Sequence, residues 1–336
     1  MTMRGLLKFI RRSIATIVTL AAAVFVFHFV SPWPSALFFR GVFYLFTVQI
    51  TSAIEKHVPS GVVSFTDQIY DPTSSRGKFD VYFPADALRR KLPTIVWIHG
   101  GGFISGSRKD VASYAKILAS NGYAVVTVGY TIAPEQRYPG PVYQVNAALA
   151  EIVKMSNKFP FDVSQIVLAG DSAGAQIAAQ TALVISDQTY AREVGIEPGL
   201  LRGHLIGLIL HCGVLDAKLL GRGDGLIGFF LRTVGRSYFG TEDFSDPVVA
   251  KQFSVADRVT GALPPVFISA GNRDPLLLHS LSMVRALESV GVRTEKLFYP
   301  EDQAPPLDHE YQFNLDTAAG KLALSRTLEF LQTLKK

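Results

Sequence analysis

Two β-branched apolar runs, each closing on a cluster of glycines, constrain this chain more than any other feature. Thr94-Ile95-Val96-Trp97-Ile98 leads into His99-Gly100-Gly101-Gly102-Phe103, and Gln165-Ile166-Val167-Leu168-Ala169 leads into Gly170-Asp171-Ser172-Ala173-Gly174. Continuous apolar runs of this length read as strands buried on both faces, as in parallel sheets. The small, helix-competent residues 173–180 follow Ser172, so the local order is strand, sharp turn, helix. A serine on such a turn is forced into a strained backbone conformation. Glycines on both sides make that sterically possible, and the strain lifts Oγ out above the sheet. The competing reading is a glycine-rich turn with a bystander serine.

Four further runs read as strands: Ala124-Val125-Val126-Thr127-Val128-Gly129-Tyr130, Leu205-Ile206-Gly207-Leu208-Ile209-Leu210, Val266-Phe267-Ile268-Ser269-Ala270 and Lys296-Leu297-Phe298-Tyr299. Helical patterns lie between most of them, at residues 111–120, 142–155, 277–290 and 317–334. Such alternation predicts an α/β fold, a mostly parallel twisted sheet with helices on both faces, whose chemistry collects at the carboxyl ends of the strands. The 336 residues suffice for one large domain, and residues 60–336 contain no repeat or linker-like tract. The expected division is a membrane anchor and apolar cap segment over residues 1–54 and a catalytic domain over 55–336. Within the latter, the connection of about fifty residues between Cys212 and Val266 is too long for a plain loop. Residues 213–260 are therefore expected to hold a lid. Ile227, Phe230, Leu231, Val234 and Tyr238 recur there on one helical face, suited to roofing the serine or simply to core packing.

A serine hydroxyl is a poor nucleophile at neutral pH. It needs a histidine base within hydrogen-bond reach, and that imidazole needs a carboxylate to fix its tautomer. Candidates lie just after later strands. Asp274 follows the run ending at Ala270, and His309 lies nine residues beyond Pro300, ahead of the last helix. The order Ser172, Asp274, His309 is the one this architecture uses. Asp274 also reads as a helix cap before Leu276-Leu277-Leu278, and His309 as an exposed loop residue between Asp308 and Glu310. His279 falls on the helix and turned away, and His99 reads as a wall of the glycine loop.

With these residues assembled, residues 75–335 resemble the hormone-sensitive-lipase-like esterases of the α/β-hydrolase superfamily. The resemblance rests on His99-Gly100-Gly101-Gly102-Phe103, Tyr130-Thr131-Ile132-Ala133-Pro134-Glu135, Gly170-Asp171-Ser172-Ala173-Gly174, and Pro264-Pro265-Val266 through Asp274-Pro275-Leu276. It implies an α/β-hydrolase fold with a helical cap or lid. It also implies oxyanion donors at the backbone N–H groups of Gly101, Gly102 and Ala173, and chemistry without a cofactor. Three departures stand out. Glu310-Tyr311 follows His309 where the family usually has glycine and phenylalanine, Thr131-Ile132 replaces Arg-Leu, and Ala175 stands where a further glycine is common. A carboxylate beside the imidazole would favour its charged form and weaken it as a base at low pH.

The net charge of +5 offers no basic face for nucleic acid, because Arg4, Lys8, Arg11, Arg12 and Arg40 account for all of it and no acidic residue precedes Glu55. Cys212 is the only cysteine, which excludes an intrachain disulfide and reads as a buried structural thiol. The seven histidines show no metal-ligand spacing. Residues 14–30 form an apolar run behind the basic cluster, closed by Ser31-Pro32-Trp33-Pro34. Its length favours an uncleaved membrane anchor over a cleaved signal or a packed helix, since no small-x-small site follows it. A single span would keep the basic cluster cytoplasmic and carry the domain to the far side. A second apolar stretch, residues 37–46 interrupted by Arg40 and Gly41, is expected at the membrane interface or over the active site.

The sequence therefore predicts a serine hydrolase of carboxylic esters, with short- to medium-chain or lipophilic acyl groups, acting on small molecules through an acyl-enzyme. Deacetylation, amide hydrolysis or acyl transfer on the same triad is the alternative, with a non-catalytic small-molecule receptor behind it.

Overall fold

A computed structural model of the chain describes residues 30–335 apart from 88–89, 222–223, 245 and 247–248, and before them residues 3, 10–16, 18–19 and 27. Most of the apolar run at residues 14–30 lies outside the described residues.

Every expected strand is present, and they form one sheet with β1 (Val62–Ile69), β2 (Lys78–Pro84), β3 (Leu92–Ile98), β4 (Ala124–Val128), β5 (Phe161–Asp171), β6 (Leu205–His211), β7 (Val266–Ser269) and β8 (Thr294–Leu297). The order across the sheet is β1-β2-β4-β3-β5-β6-β7-β8. The first two strands run antiparallel to their neighbours and all later pairings are parallel. The last strand begins two residues earlier than its apolar pattern suggests.

The two faces of the sheet are covered separately. Val96 and Ile98 of β3 and Leu168 of β5 pack toward α3 (Gly140–Lys154) and α4 (Ala173–Ser186). The alternate residues Ile95, Trp97, Val167 and Ala169 pack toward α2 (Ala112–Ser120) and the C-terminal helix at Ala318–Thr333. Burial on both sides is why these strands carry no polar alternation. Truncating Ile95, Ile98 or Leu168 to alanine should cost about 2–5 kcal/mol.

Ahead of the sheet, α1 (Trp33–Glu55) carries the second apolar stretch and runs on through Arg40 and Gly41. Arg40 turns inward. Its Nε donates to the Ile104 carbonyl at 2.7 Å, one terminal nitrogen to the Ala133 carbonyl at 2.8 Å and the other to Glu135 at 2.9 Å. By length and composition α1 is the one described helix able to cross a membrane, and 11% of its most apolar window is buried. It lies across the carboxyl ends of the strands beside α6 (Gly225–Val234), the helix predicted within residues 213–260. A short helix, α5 (Gln188–Val194), follows α4, and α7 (Leu277–Ser289) and α8 (Ala318–Thr333) complete the domain.

Candidate active site

β5 ends at Asp171, α4 begins at Ala173, and Ser172 makes the turn between them with φ 51° and ψ −120°. A side-chain-bearing residue holds that conformation only where its surroundings impose it. Here the Ser172 N–H donates to the His211 carbonyl at 2.9 Å, and the flanking glycines let the chain close on itself. A Cβ on Gly174 would stand 2.1 Å from the Ile98 carbonyl oxygen, and one on Gly170 would stand 2.5 Å from Gly174 itself.

The three distant side chains singled out in the sequence meet. His309 Nε2 lies 3.0 Å from Ser172 Oγ, and its Nδ1 lies 3.0 Å from each oxygen of Asp274. Asp274 Oδ1 also accepts the Leu276 N–H at 2.7 Å, so the carboxylate both steadies the entry to α7 and orients the imidazole. His279 is buried and turned away, accepting the Asp216 N–H through Nδ1 at 3.2 Å. His99 is buried in the loop wall, stacked on Tyr130 at 4.3 Å, and burial pushes its pKa down to about 3.

The loop from Gly100 to Ser105 is held from below and behind. The Gly100 N–H donates to Asp171 Oδ2 at 2.8 Å, and Trp97 Nε1 donates to Asp171 Oδ1 at 2.7 Å. The Tyr130 hydroxyl donates to the His99 carbonyl at 2.9 Å. Gly101 and Gly102 take positive φ values of 110° and 59°, and the Ser105 N–H closes the turn onto the Gly101 carbonyl at 2.9 Å. Among the described residues, the N–H groups of Gly101, Gly102 and Ala173 donate to no protein group. Ser172, His309 and the loop from Gly100 to Phe103 face a cavity of about 480 Å³. Its walls are apolar. Phe39, Phe43 and Phe46 come from α1, and Phe230, Leu231 and Val234 from α6. Phe230 stacks edge-on against Phe39 and Phe43 at 5.1 and 5.4 Å and stands over Gly102. Ile227 also lines the cavity. Tyr238 instead stacks on Phe103 at 4.3 Å within the core.

Two features escaped the sequence reading. Cys212 is buried as expected, yet its sulfur, His309 and Asp274 present donor atoms all within 4.8 Å of one another. No spacing in the sequence announces this cluster. Burial pushes the thiol pKa up to about 11, so it sits beside the imidazole as a neutral group. The second feature is a carboxyl pair. Glu310 adopts the left-handed backbone at φ 60°, which accounts for the glycine usual there. Its Oε1 comes within 3.9 Å of His309 Nε2, and a Cβ on Gly100 would meet both Asp171 Oδ2 and Glu310 Oε1, so the two carboxyl groups stand beside each other. Burial first and the Glu310 charge second hold the Asp171 carboxyl well above the ordinary carboxylate range. For His309, burial opposes the charged form, but the hydrogen-bonded Asp274 and the nearby Glu310 favour it and move its pKa above the usual value.

An eight-stranded, mostly parallel sheet with a serine on the strand-to-helix turn defines an α/β hydrolase. A family model described as the alpha/beta hydrolase fold matches residues 95–303, and the chain belongs to that family, whose hormone-sensitive-lipase-like members its motifs resemble. Solved structures share the architecture. Esterase B from Lactobacillus rhamnosis superposes with a TM-score of 0.74 at 23% identity, over 89% of this chain and 96% of its own. The hyperthermophilic esterase from the archaeon Pyrobaculum calidifontis gives 0.69 at 23% identity over 89% and 91%, and a bacterial heroin esterase gives 0.66 at 22% over 88% and 91%.

Proposed function

We propose that the chain hydrolyses carboxylic esters of lipophilic acids through a serine acyl-enzyme. The observation that carries this is the continuous relay from Asp274 through His309 to Ser172, each link 3.0 Å long. In the acylation step Ser172 Oγ bonds to the ester carbonyl carbon while His309 Nε2 takes the hydroxyl proton. The alcohol then leaves with that proton, and a water molecule repeats the sequence to release the acid. The N–H groups of Gly101, Gly102 and Ala173 hold the oxyanion, and Asp274 keeps the His309 tautomer with its free lone pair toward the serine.

The phenylalanine-lined cavity supports an apolar acyl group. The same esterase B fold has been crystallised inhibited by a tributyrin phosphonate, which agrees with an acyl-ester substrate. Residues 1–54 serve as anchor and cap, residues 55–336 as the catalytic domain, and residues 213–260 as its lid. A domain held to the membrane by residues 14–30 on its extracytoplasmic side is the localisation we infer. Ser172→Ala tests the function. It should abolish labelling by a fluorophosphonate and bring turnover of p-nitrophenyl esters to background, and wild-type turnover in that variant would refute the assignment.

A further inference from the structure

The roof of the cavity has an outer side. Leu37, Gly41, Tyr44 and Val48 recur three or four residues apart on α1, with Leu45 beside them four residues after Gly41, a spacing that gathers them on one face, and all are exposed. Leu45 is 71% exposed and Tyr44 67%. The single charge on α1 before Glu55 is Arg40, and its guanidinium is withdrawn onto Glu135 and two backbone carbonyls. Across the mouth, α6 exposes Leu226 and Ile227, 64% and 63% accessible, and both also line the cavity. Single exposed apolar residues are ordinary on a surface. An uncharged band spanning two elements and rimming the opening above Ser172 marks an interaction face.

We propose that this band lies against a lipid bilayer, and that lipophilic esters enter the cavity from the membrane between α1 and α6. The occupant follows from the chain itself. α1 begins three residues after the apolar run at 14–30, behind Arg4, Lys8, Arg11 and Arg12, so insertion of that run holds α1 at headgroup depth. Trp33, 39% exposed at the first turn, suits that interface. With the tether there, the apolar face of α1 has hydrocarbon within reach, and the substrate best matched to the cavity is concentrated in the same phase. Docking stands independently of the chemistry, whereas substrate entry rests on the ester-hydrolase reading above.

The test uses the full chain in phosphatidylcholine–phosphatidylglycerol vesicles. Because the native Cys212 is buried, an environment-sensitive fluorophore can be placed on Leu45→Cys, Ile227→Cys and, as a control elsewhere on the domain, Leu201→Cys. Lipids brominated near the headgroup end of their chains should quench positions 45 and 227 and spare 201. Equal emission at all three, or quenching between labels on two protein copies without quenching by lipid, overturns the docking. For entry, Leu45→Glu combined with Val48→Glu should lower hydrolysis of a vesicle-dissolved long-chain ester about tenfold while leaving p-nitrophenyl acetate turnover in detergent within about twofold. Unchanged hydrolysis of the vesicle-held ester overturns entry from the membrane. Absence of turnover of both esters by the wild type would instead sink the ester-hydrolase reading, and the quenching result would still judge the docking.

Discussion

Alanine at Gly101 should disable the site while leaving the domain folded. Gly101 has φ 110°, and an added Cβ would stand 2.3 Å from the Ser105 carbonyl oxygen and 2.5 Å from its carbon. Those are backbone atoms, unable to swing aside as a side chain would, so the turn from 101 to 105 must open and carry its amides away from the cavity. The strained φ itself costs about 1–3 kcal/mol for a residue with a side chain. Loss of one oxyanion donor adds about 2.7–4 kcal/mol to the barrier, a fall of about 10²–10³ in kcat. Gly122 supplies the matched control, with φ 89° and nothing within 4 Å of an added Cβ. Gly101→Ala and Gly122→Ala should both lower the melting temperature by about 2–4 °C for each kcal/mol of strain. Only Gly101→Ala should lose kcat on a short-chain p-nitrophenyl ester, with KM little changed. Wild-type kcat in a fully folded Gly101→Ala protein would refute the role given to the loop.

Asp274→Asn should preserve the fold, since the amide oxygen can still accept the Leu276 N–H, yet lower kcat about 10⁴-fold by favouring the wrong imidazole tautomer; steady-state kinetics beside a melting curve would check this. Glu310→Gln removes an anion that favours the charged imidazole. The His309 pKa should then fall, neutral base should persist to lower pH, and the acid limb of the kcat/KM profile should move down. A limb that stays in place or moves up contradicts that electrostatic role. Arg40→Met strips the Ile104 and Ala133 carbonyls of their donor, a cost of about 1–3 kcal/mol that should fall on the cap. Hydrogen exchange should quicken in α1 before α8, and KM for long-chain esters should rise.

Residues alone determined the strand–turn–helix around Ser172 and the parallel centre of the sheet, and they singled out the three side chains that lie together at its carboxyl edge. Each is written in local pattern: unbroken apolar runs, glycines where Cβ atoms have no room, and acid and base placed just beyond strand ends. The antiparallel β1 was not legible, because it is largely solvent-exposed and carries Ser64, Thr66, Asp67 and Gln68 in place of an apolar run, and the buried β2 is interrupted by Asp80. Tertiary structure alone decided what surrounds the relay. Contact between Glu310 and Asp171, separated by 139 positions, depends on where two strand ends fall in the sheet, and so does the approach of Cys212 to His309. The same holds for the roof. Phe39 and Phe230 become one wall only when helices from opposite parts of the chain cross above the same serine. Chain spacing carries information about a residue's own helix or strand, whereas burial, charge pairing and cavity shape come from neighbours remote in sequence.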